Sequence, residues 1–207
     1  MPLWLNYGLL GAVAGPFVIV FSRAIAPLGH VVPKTVIAFV ASLLLTVVLI
    51  EVAERRQATA GALAWLAIIG LLLSLIDWAH HRLPHRIVGA LLAGGSVQLG
   101  FAGLVQHDLW PLARAGAAAA AVFAFMFLVH RISPSGLGFG DVTLSTTMAF
   151  YLGWFGWPYV AAGLGAAFLS AGIAMCALRV TKLISQGQAI AFGPALIFAP
   201  FCVILLL

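Results

Sequence analysis

The chain has 207 residues, of which 64% are hydrophobic and only 7% are charged, with a formal net charge of +5. A soluble globular domain carries about 25% charged residues, so this composition excludes a water-soluble domain. The excess of Lys and Arg does not indicate nucleic-acid binding, because these residues mark cytoplasmic loops in a membrane protein. We therefore expect a polytopic protein that partners with a lipid bilayer and with no nucleic acid.

Eight apolar segments follow one another along the chain, with short loops between them. Several reach the roughly 18 residues that a helix needs to cross the hydrocarbon core. No loop is long enough to bury a core of its own, so residues 1–207 should form a single membrane domain. The sequence predicts an all-α transmembrane bundle of about eight spans, at Leu3–Phe21, Thr35–Ile50, Gly61–Asp77, Ile87–Val105, Ala115–His130, Val142–Phe155, Pro158–Val180 and Ile190–Leu207.

The distribution of Lys and Arg predicts the orientation of the bundle. The loops after spans one, three, five and seven hold seven of these residues, and the loops after spans two, four and six hold three. The positive-inside rule places the richer set in the cytoplasm and both termini outside. The seven are Arg23, Lys34, Arg82, Arg86, Arg131, Arg179 and Lys182, and the three are Arg55, Arg56 and Arg114.

Two of the five acidic residues stand at ends of predicted spans. Asp77 ends the third span and Asp141 begins the sixth, so both should lie on the same, cytoplasmic side of the membrane. An ionisable group at a membrane boundary is costly unless it is paired, hydrated or functional. Asp141 could act as an N-cap, but Asp77 stands at a helix C-terminus, where the dipole disfavours an anion. We therefore favour a shared functional site over two structural roles.

Two neighbouring carboxylates suit the hydrolysis of a peptide bond. Like charges in contact cannot both ionise easily, so the pair holds one proton over a range of pH. The ionised member takes a proton from water, and the protonated member donates one to the carbonyl oxygen or the leaving amine. This chemistry needs no metal and no cofactor, and we expect neither. Either aspartate could be the acid, since the pair titrates as one unit.

Several motifs carry a family resemblance. The segment Gly138-Phe139-Gly140-Asp141 resembles the Gly-x-Gly-Asp motif of membrane aspartyl proteases that include the type IV prepilin peptidases. Asp77 with Leu83-Pro84 resembles the first catalytic motif of the prepilin branch. Phe192-Gly193-Pro194 is similar to a Phe-Gly-Pro near the end of those enzymes, and the first span, from Gly11 to Arg23, loosely resembles their opening segment.

The resemblance implies a fold, a reaction and a location. It implies a helical bundle in a prokaryotic plasma membrane, with Asp77 and Asp141 as catalytic residues at its cytoplasmic end. The substrates would be prepilin or pseudopilin precursors, which lose a short basic leader. Gly138 and Gly140 would let the backbone approach an extended substrate, or they are loop residues only. The other residues that would shape the site are Leu83, Pro84, Phe192, Gly193 and Pro194.

The chain departs from the family pattern at three places. Many members carry a zinc-binding cytoplasmic domain after the first span, but the loop Ser22–Lys34 is short and has no cysteine. We therefore expect a peptidase without methyltransferase activity. His85 follows Leu83-Pro84 where the family usually has Asn or Asp, and Thr143 stands where it usually has Lys. An altered, weak or inactive relative is an alternative.

Other interpretations remain at this stage. His80, His81 and His85 lack the spacing of a metal site and are interpreted as loop residues that could tune the pKa of Asp77. A proton- or cation-coupled transporter would explain two acids at helix ends, but it would not explain the Leu-Pro and Phe-Gly-Pro motifs. A non-catalytic protein of pilus or secretion-system assembly is a third possibility. The sequence predicts no particular oligomeric state.

Overall fold

The computed structural model describes residues 5–15, 34–81, 83–133, 137–181 and 192–207, with backbone only at 34–42, 44 and 79. These residues form helices and no β-strand within those ranges, which confirms the all-α prediction. Arg23, Arg82, Lys182 and the end of the first predicted span lie outside the described residues. The helices are α1 Leu5–Gly15, α2 Lys34–Arg55, α3 Ala60–His80, α4 His85–Val105, α5 Trp110–Ile132, α6 Phe139–Phe155, α7 Trp157–Val180 and α8 Gly193–Leu206.

Among the described residues, four segments are long and apolar enough to cross a bilayer, and they coincide with α3, α4, α5 and α7. The outward surfaces of the last three helices carry large exposed apolar side chains, such as Phe101, Phe125 and Ile173. In water such surfaces would be unfavourable, whereas hydrocarbon chains solvate them. The chain is therefore a multi-pass membrane protein, and the number of crossings, about eight, stays a prediction. The four segments are Gln57–Trp78, His85–Val105, Trp110–Ile132 and Trp157–Val180.

Helix α6 occupies the centre of the bundle and contacts α4, α5, α7 and α8. Eleven of its residues are buried. The hydroxyl of Tyr151 donates a buried hydrogen bond of 3.0 Å to the carbonyl of Leu91 in α4. A Cβ at Gly153 would lie 2.7 Å from the Cβ of Ala118, so α5 and α6 are in backbone-to-backbone proximity. The helix that carries Asp141 is thus held on several sides.

The ends of α6 and α8 that are remote from the aspartates are fixed by arginines. The guanidinium of Arg114 donates to the carbonyls of Gly153 and Trp154, which are C-terminal carbonyls of α6. Arg56 donates at 2.9 Å to the carbonyl of Ile204 near the C-terminus of α8. Cations at helix C-termini are favourable both as hydrogen-bond donors and through the helix dipole. The chain then turns at Gly156 (φ 148°) directly into α7.

Glycine at position 95 is required by the close approach of Tyr151. A Cβ at position 95 would overlap the hydroxyl of Tyr151. Gly95→Ala must therefore displace a fully buried ring. We expect a loss of about 1–3 kcal/mol in the free energy of unfolding, measured as a lowered melting temperature in detergent. The control is Gly89→Ala on the same helix, where a Cβ meets nothing within 4 Å. Equal melting temperatures for the two variants would contradict this account.

Candidate active site

Asp77 lies in the last turn of α3 and its side chain is only 4% exposed. The helix ends in a left-handed residue, His81 (φ 51°), whose N–H donates to the carbonyl of Asp77. The Asp77 carboxylate reaches across to α8, where its Oδ2 accepts the backbone N–H of Gly193 at 2.7 Å. Gly193 is the first residue of α8. Asp77 is therefore at the C-terminus of its own helix and at the N-terminus of another, whose dipole favours an anion.

The Phe-Gly-Pro motif builds this contact. A Cβ at position 193 would lie 2.8 Å from Oδ2 of Asp77, so only glycine lets the carboxylate come this close. Pro194 stands in the first turn of α8, where its missing N–H leaves no hydrogen bond unmade. The ring of Phe192 contacts that of Phe168 on α7, with centroids 5.2 Å apart. The three residues thus start α8 against Asp77 and fix its approach.

Asp141 is the third residue of α6, and the N-cap position belongs to Gly138. The hypothesis that Asp141 is the N-cap is therefore wrong, because the N-cap lies three residues earlier in the chain. A Cβ on Gly138 would lie 3.3 Å from Oδ2 of Asp141, so the side chain folds back over the start of its own helix. An acid in the first turn is favoured there by the exposed N–H groups.

The two aspartates lie at the same end of the bundle and act on each other electrostatically. Asp141 precedes the apolar segment Val142–Phe155 that we predict to enter the membrane. Burial of its carboxyl, followed by the charge of Asp77, raises the pKa of Asp141 to about 6, although the backbone N–H of Gly138 opposes this shift. Burial is the larger cause of this shift, and the neighbouring carboxylate adds to it, as expected for two acids that lie close together. Both residues lie at one end of the bundle, and the prediction that this end is the cytoplasmic side stays a prediction.

The two aspartate motifs are joined by direct contacts. A Cβ on Gly140 would lie 3.0 Å from the Cβ of Leu83, so the Gly-x-Gly-Asp backbone rests on the buried leucine of the Leu-Pro motif. Pro84 is the N-cap of α4, and its carbonyl accepts the N–H groups of Ile87 and Val88. The close packing against Leu83 therefore favours glycine at position 140, independently of any contact that Gly140 makes with substrate.

Two of the three departures from the family pattern, His85 and Thr143, touch the Gly-x-Gly-Asp motif. The ring of His85 contacts that of Phe139 edge-on, with centroids 5.5 Å apart. The hydroxyl of Thr143 donates to the carbonyl of Gly140 at 2.8 Å. Thr143 therefore supports the motif's backbone, whereas a lysine there would bring a charge near Asp141. Within the described ranges, no three or more of the His, Cys, Asp and Glu side chains form a group that could hold a metal ion.

Three site features could not be found from sequence spacing. His130, at the end of α5, hydrogen-bonds the carbonyl of Leu137 through Nδ1 at 2.7 Å, and its ring contacts Phe139. The other two are the hydroxyls of Ser74 and Ser145, which are buried without a hydrogen-bond partner among the described residues. Each depends on where distant helices pack. The sequence shows only that each serine stands one helical turn from an aspartate, and it does not show that the hydroxyls are buried without a partner.

Tryptophans mark the level of the pair relative to the membrane. Trp78 directly follows Asp77 and is 73% exposed, so it points away from the bundle. Trp110 and Trp157 are also exposed and begin α5 and α7 at the opposite end. Tryptophan is enriched at both membrane–water interfaces. This arrangement puts the aspartates near one interface rather than at the bilayer centre.

The fold and the site together define a helical membrane protein with a pair of acids at one end of its bundle. The model of the type IV leader peptidase family matches residues 63–205, and the chain belongs to that family. The match includes both aspartates, Leu83-Pro84 and Phe192-Gly193-Pro194, but not α1 or the loosely similar opening segment. No curated protein and no solved structure matches the chain. The family is one of membrane peptidases that act on leader segments.

Proposed function

We propose that this protein is an aspartic-type endopeptidase that removes the leader of type IV prepilin-like or pseudopilin precursors. Asp77 and Asp141 activate water at the cytoplasmic face of a prokaryotic plasma membrane. One observation carries the proposal: the chain brings four separated motifs into contact around the two carboxylates. Asp77 touches Gly193, Gly140 rests on Leu83, and the charge of Asp77 acts on Asp141. A transporter has no need for this convergence.

The hydrogen bond to Gly193 commits one oxygen of Asp77 as an acceptor. A backbone N–H can only donate, so Oδ2 of Asp77 accepts and is not the oxygen that carries the proton. In this proposal we assign the shared proton to Asp141, whose carboxyl has a pKa raised to about 6 by burial and by the charge of Asp77. Asp77 then takes a proton from water as the water oxygen attacks the peptide carbonyl, and Asp141 donates to the carbonyl oxygen. Collapse of the tetrahedral species returns a proton to Asp141 and delivers one from Asp77 to the leaving amine.

The charge distribution supports a cytoplasmic orientation of the aspartates. At their end of the bundle Arg86, Arg131 and Arg179 are exposed, where they can meet solvent or anionic lipid. At the opposite end, Arg56 and Arg114 are bonded to the C-terminal carbonyls of α8 and α6. Arg55, also at the opposite end, pairs with Glu51 at 2.7 Å. The arginines at the opposite end thus have hydrogen-bond or ion-pair partners, and the exposed arginines at the aspartate end support a cytoplasmic position for that end.

The test of this proposal is a cleavage assay with the full chain in lipid nanodiscs. The substrate is a synthetic precursor with a basic leader, a glycine and a long apolar helix. We expect one cut after the glycine, identified by mass spectrometry. The same preparation in proteoliposomes should carry no proton or cation flux. Flux without cleavage of any precursor would favour the transporter interpretation, and the absence of both activities would favour an assembly protein.

Cleavage should decrease as the pH rises through about 6. Below that value Asp141 is neutral and the pair keeps its proton, whereas above it both carboxylates are ionised and no acid remains. We expect kcat/KM to fall about tenfold per pH unit on the basic side of the profile. Asp108→Asn serves as the control, since Asp108 is exposed in the loop before α5 and should leave the profile unchanged. A rate that stays constant to about pH 8 would contradict the assignment of the proton to Asp141.

A further inference from the structure

Two buried serines lie one helical turn from the two aspartates. Ser74 precedes Asp77 by three residues on α3, and Ser145 follows Asp141 by four residues on α6. Residues three or four apart share a helix face. Because α3 ends just after Asp77 and α6 begins just before Asp141, both serines lie on the membrane-ward side of the acids. Each carboxylate therefore has a hydroxyl one turn deeper in the bundle.

Neither hydroxyl is satisfied by the residues that the structure describes. Ser74 is 5% exposed and Ser145 is 0% exposed, and their Oγ atoms have no hydrogen-bond partner in the described part of the chain. Neighbouring hydroxyls on α6 behave differently, since those of Thr143, Thr146 and Thr147 each donate to a carbonyl of the preceding turn. A buried hydroxyl without a partner loses its hydrogen bonds to water and gains none from the protein, which is unfavourable. The two exceptions are thus the two positions next to the aspartates.

We propose that Ser74 and Ser145 each hold a water molecule against the neighbouring carboxylate. We call these two serines and their two water molecules the hydrated floor of the aspartate pair. The spacing suits this arrangement. Side chains one turn apart have Cβ atoms about 5–6 Å apart, which two hydrogen bonds of about 2.8 Å through one water can span. Buried waters are typically found where several otherwise unsatisfied polar groups converge.

The hydrated floor would serve the proposed peptidase reaction, on which this inference rests. Asp77 has one carboxylate oxygen committed to Gly193. A water beneath each carboxylate fixes its orientation towards the open side, where the scissile peptide lies, and keeps water at an otherwise apolar boundary. The serines touch neither substrate nor reacting atoms in this arrangement. They are positioning residues that act through the aspartates.

The test compares Ser74→Ala and Ser145→Ala with two control variants in the nanodisc cleavage assay. The controls are Ser96→Ala and Ser170→Ala, whose hydroxyls donate to carbonyls of their own helices, Leu92 and Ala167. We expect kcat to fall about tenfold in each site variant with KM unchanged. The melting temperature should not fall, because no protein hydrogen bond is lost. Ser74→Cys and Ser145→Cys, which keep the volume but bind water weakly, should also lose rate and replace any Ala variant that fails to fold.

A second readout does not depend on activity. The carbonyl stretch of protonated Asp141, identified by its absence in Asp141→Asn, is titrated by infrared spectroscopy in wild type, Ser145→Ala and Ser170→Ala. Loss of the water should raise the midpoint in Ser145→Ala alone, because the ionised carboxylate loses solvation. If wild type cleaves while the site variants match it in both kcat and midpoint, the hydrated floor is wrong and the peptidase stands. If wild type cleaves nothing, the peptidase proposal fails and the titration alone decides on the floor.

Discussion

Asp77→Asn and Asp141→Asn should each abolish cleavage of a leader-bearing precursor, with a loss of about 10⁴-fold in kcat/KM. Asparagine keeps the volume of aspartate but cannot exchange the proton that the pair must move. The fold should survive at both positions. At residue 77 the amide oxygen of Asn can still accept the N–H of Gly193, and at residue 141 it can still lie over the start of α6.

The matched control for these variants is Asp108→Asn. The Oδ1 atom of Asp108 accepts the N–H of Trp110 at 2.9 Å, a bond that Asn can also make, and the residue is exposed. This variant should cleave at the wild-type rate, which shows that loss of an acid alone is harmless. Membrane abundance and melting temperature of all three variants should equal those of wild type. Cleavage that persists in either Asp77→Asn or Asp141→Asn would exclude a mechanism that needs both acids.

The sequence predicted the fold well because lipid constrains it strongly. Buried backbone in hydrocarbon must be internally hydrogen-bonded, so long apolar runs become helices. The predicted span Gly61–Asp77 lies within α3, and Val142–Phe155 falls within α6. A glycine in an apolar helix does not by itself mark a helix contact. A Cβ at Gly163 would lie 2.7 Å from Leu152, but a Cβ at Gly165 or Gly172 would meet nothing within 4 Å.

The candidate site was predicted in its residues but not in its contacts. Counting spans placed Asp77 and Asp141 on one side, yet the spacing could not show that Asp77 meets α8. That contact joins residues 116 positions apart and depends on how α3 and α8 pack. The same limit applies to His130, which reaches the Gly-x-Gly-Asp motif through the fold of α5. The sequence shows which residues are polar and where they stand on each helix, but their contacts depend on how distant helices pack.

Gly193→Ala should lower kcat about 100-fold, because it displaces the Asp77 carboxylate without removing it. The added methyl would stand 2.8 Å from Oδ2 and 3.1 Å from Cγ of Asp77, while the N–H of the same residue holds that oxygen. The carboxylate must move by a few tenths of an ångström or more, and its hydrogen bond must lengthen. Substrate binding elsewhere is untouched, so KM should change little. Steady-state kinetics on the nanodisc preparation measures both constants.

Gly70→Ala separates this effect from general damage to the packing of α3 on α8. A Cβ at Gly70 would lie 2.8 Å from Cγ2 of Ile197, so it strains the same helix pair one to two turns away from the acid. Both variants should lose a similar amount of thermal stability, about 1–3 kcal/mol. Only Gly193→Ala should lose kcat, since only its methyl contacts the carboxylate. If both variants lose kcat equally, the glycine of the Phe-Gly-Pro motif serves helix packing, and Asp77 is positioned by something other than the start of α8.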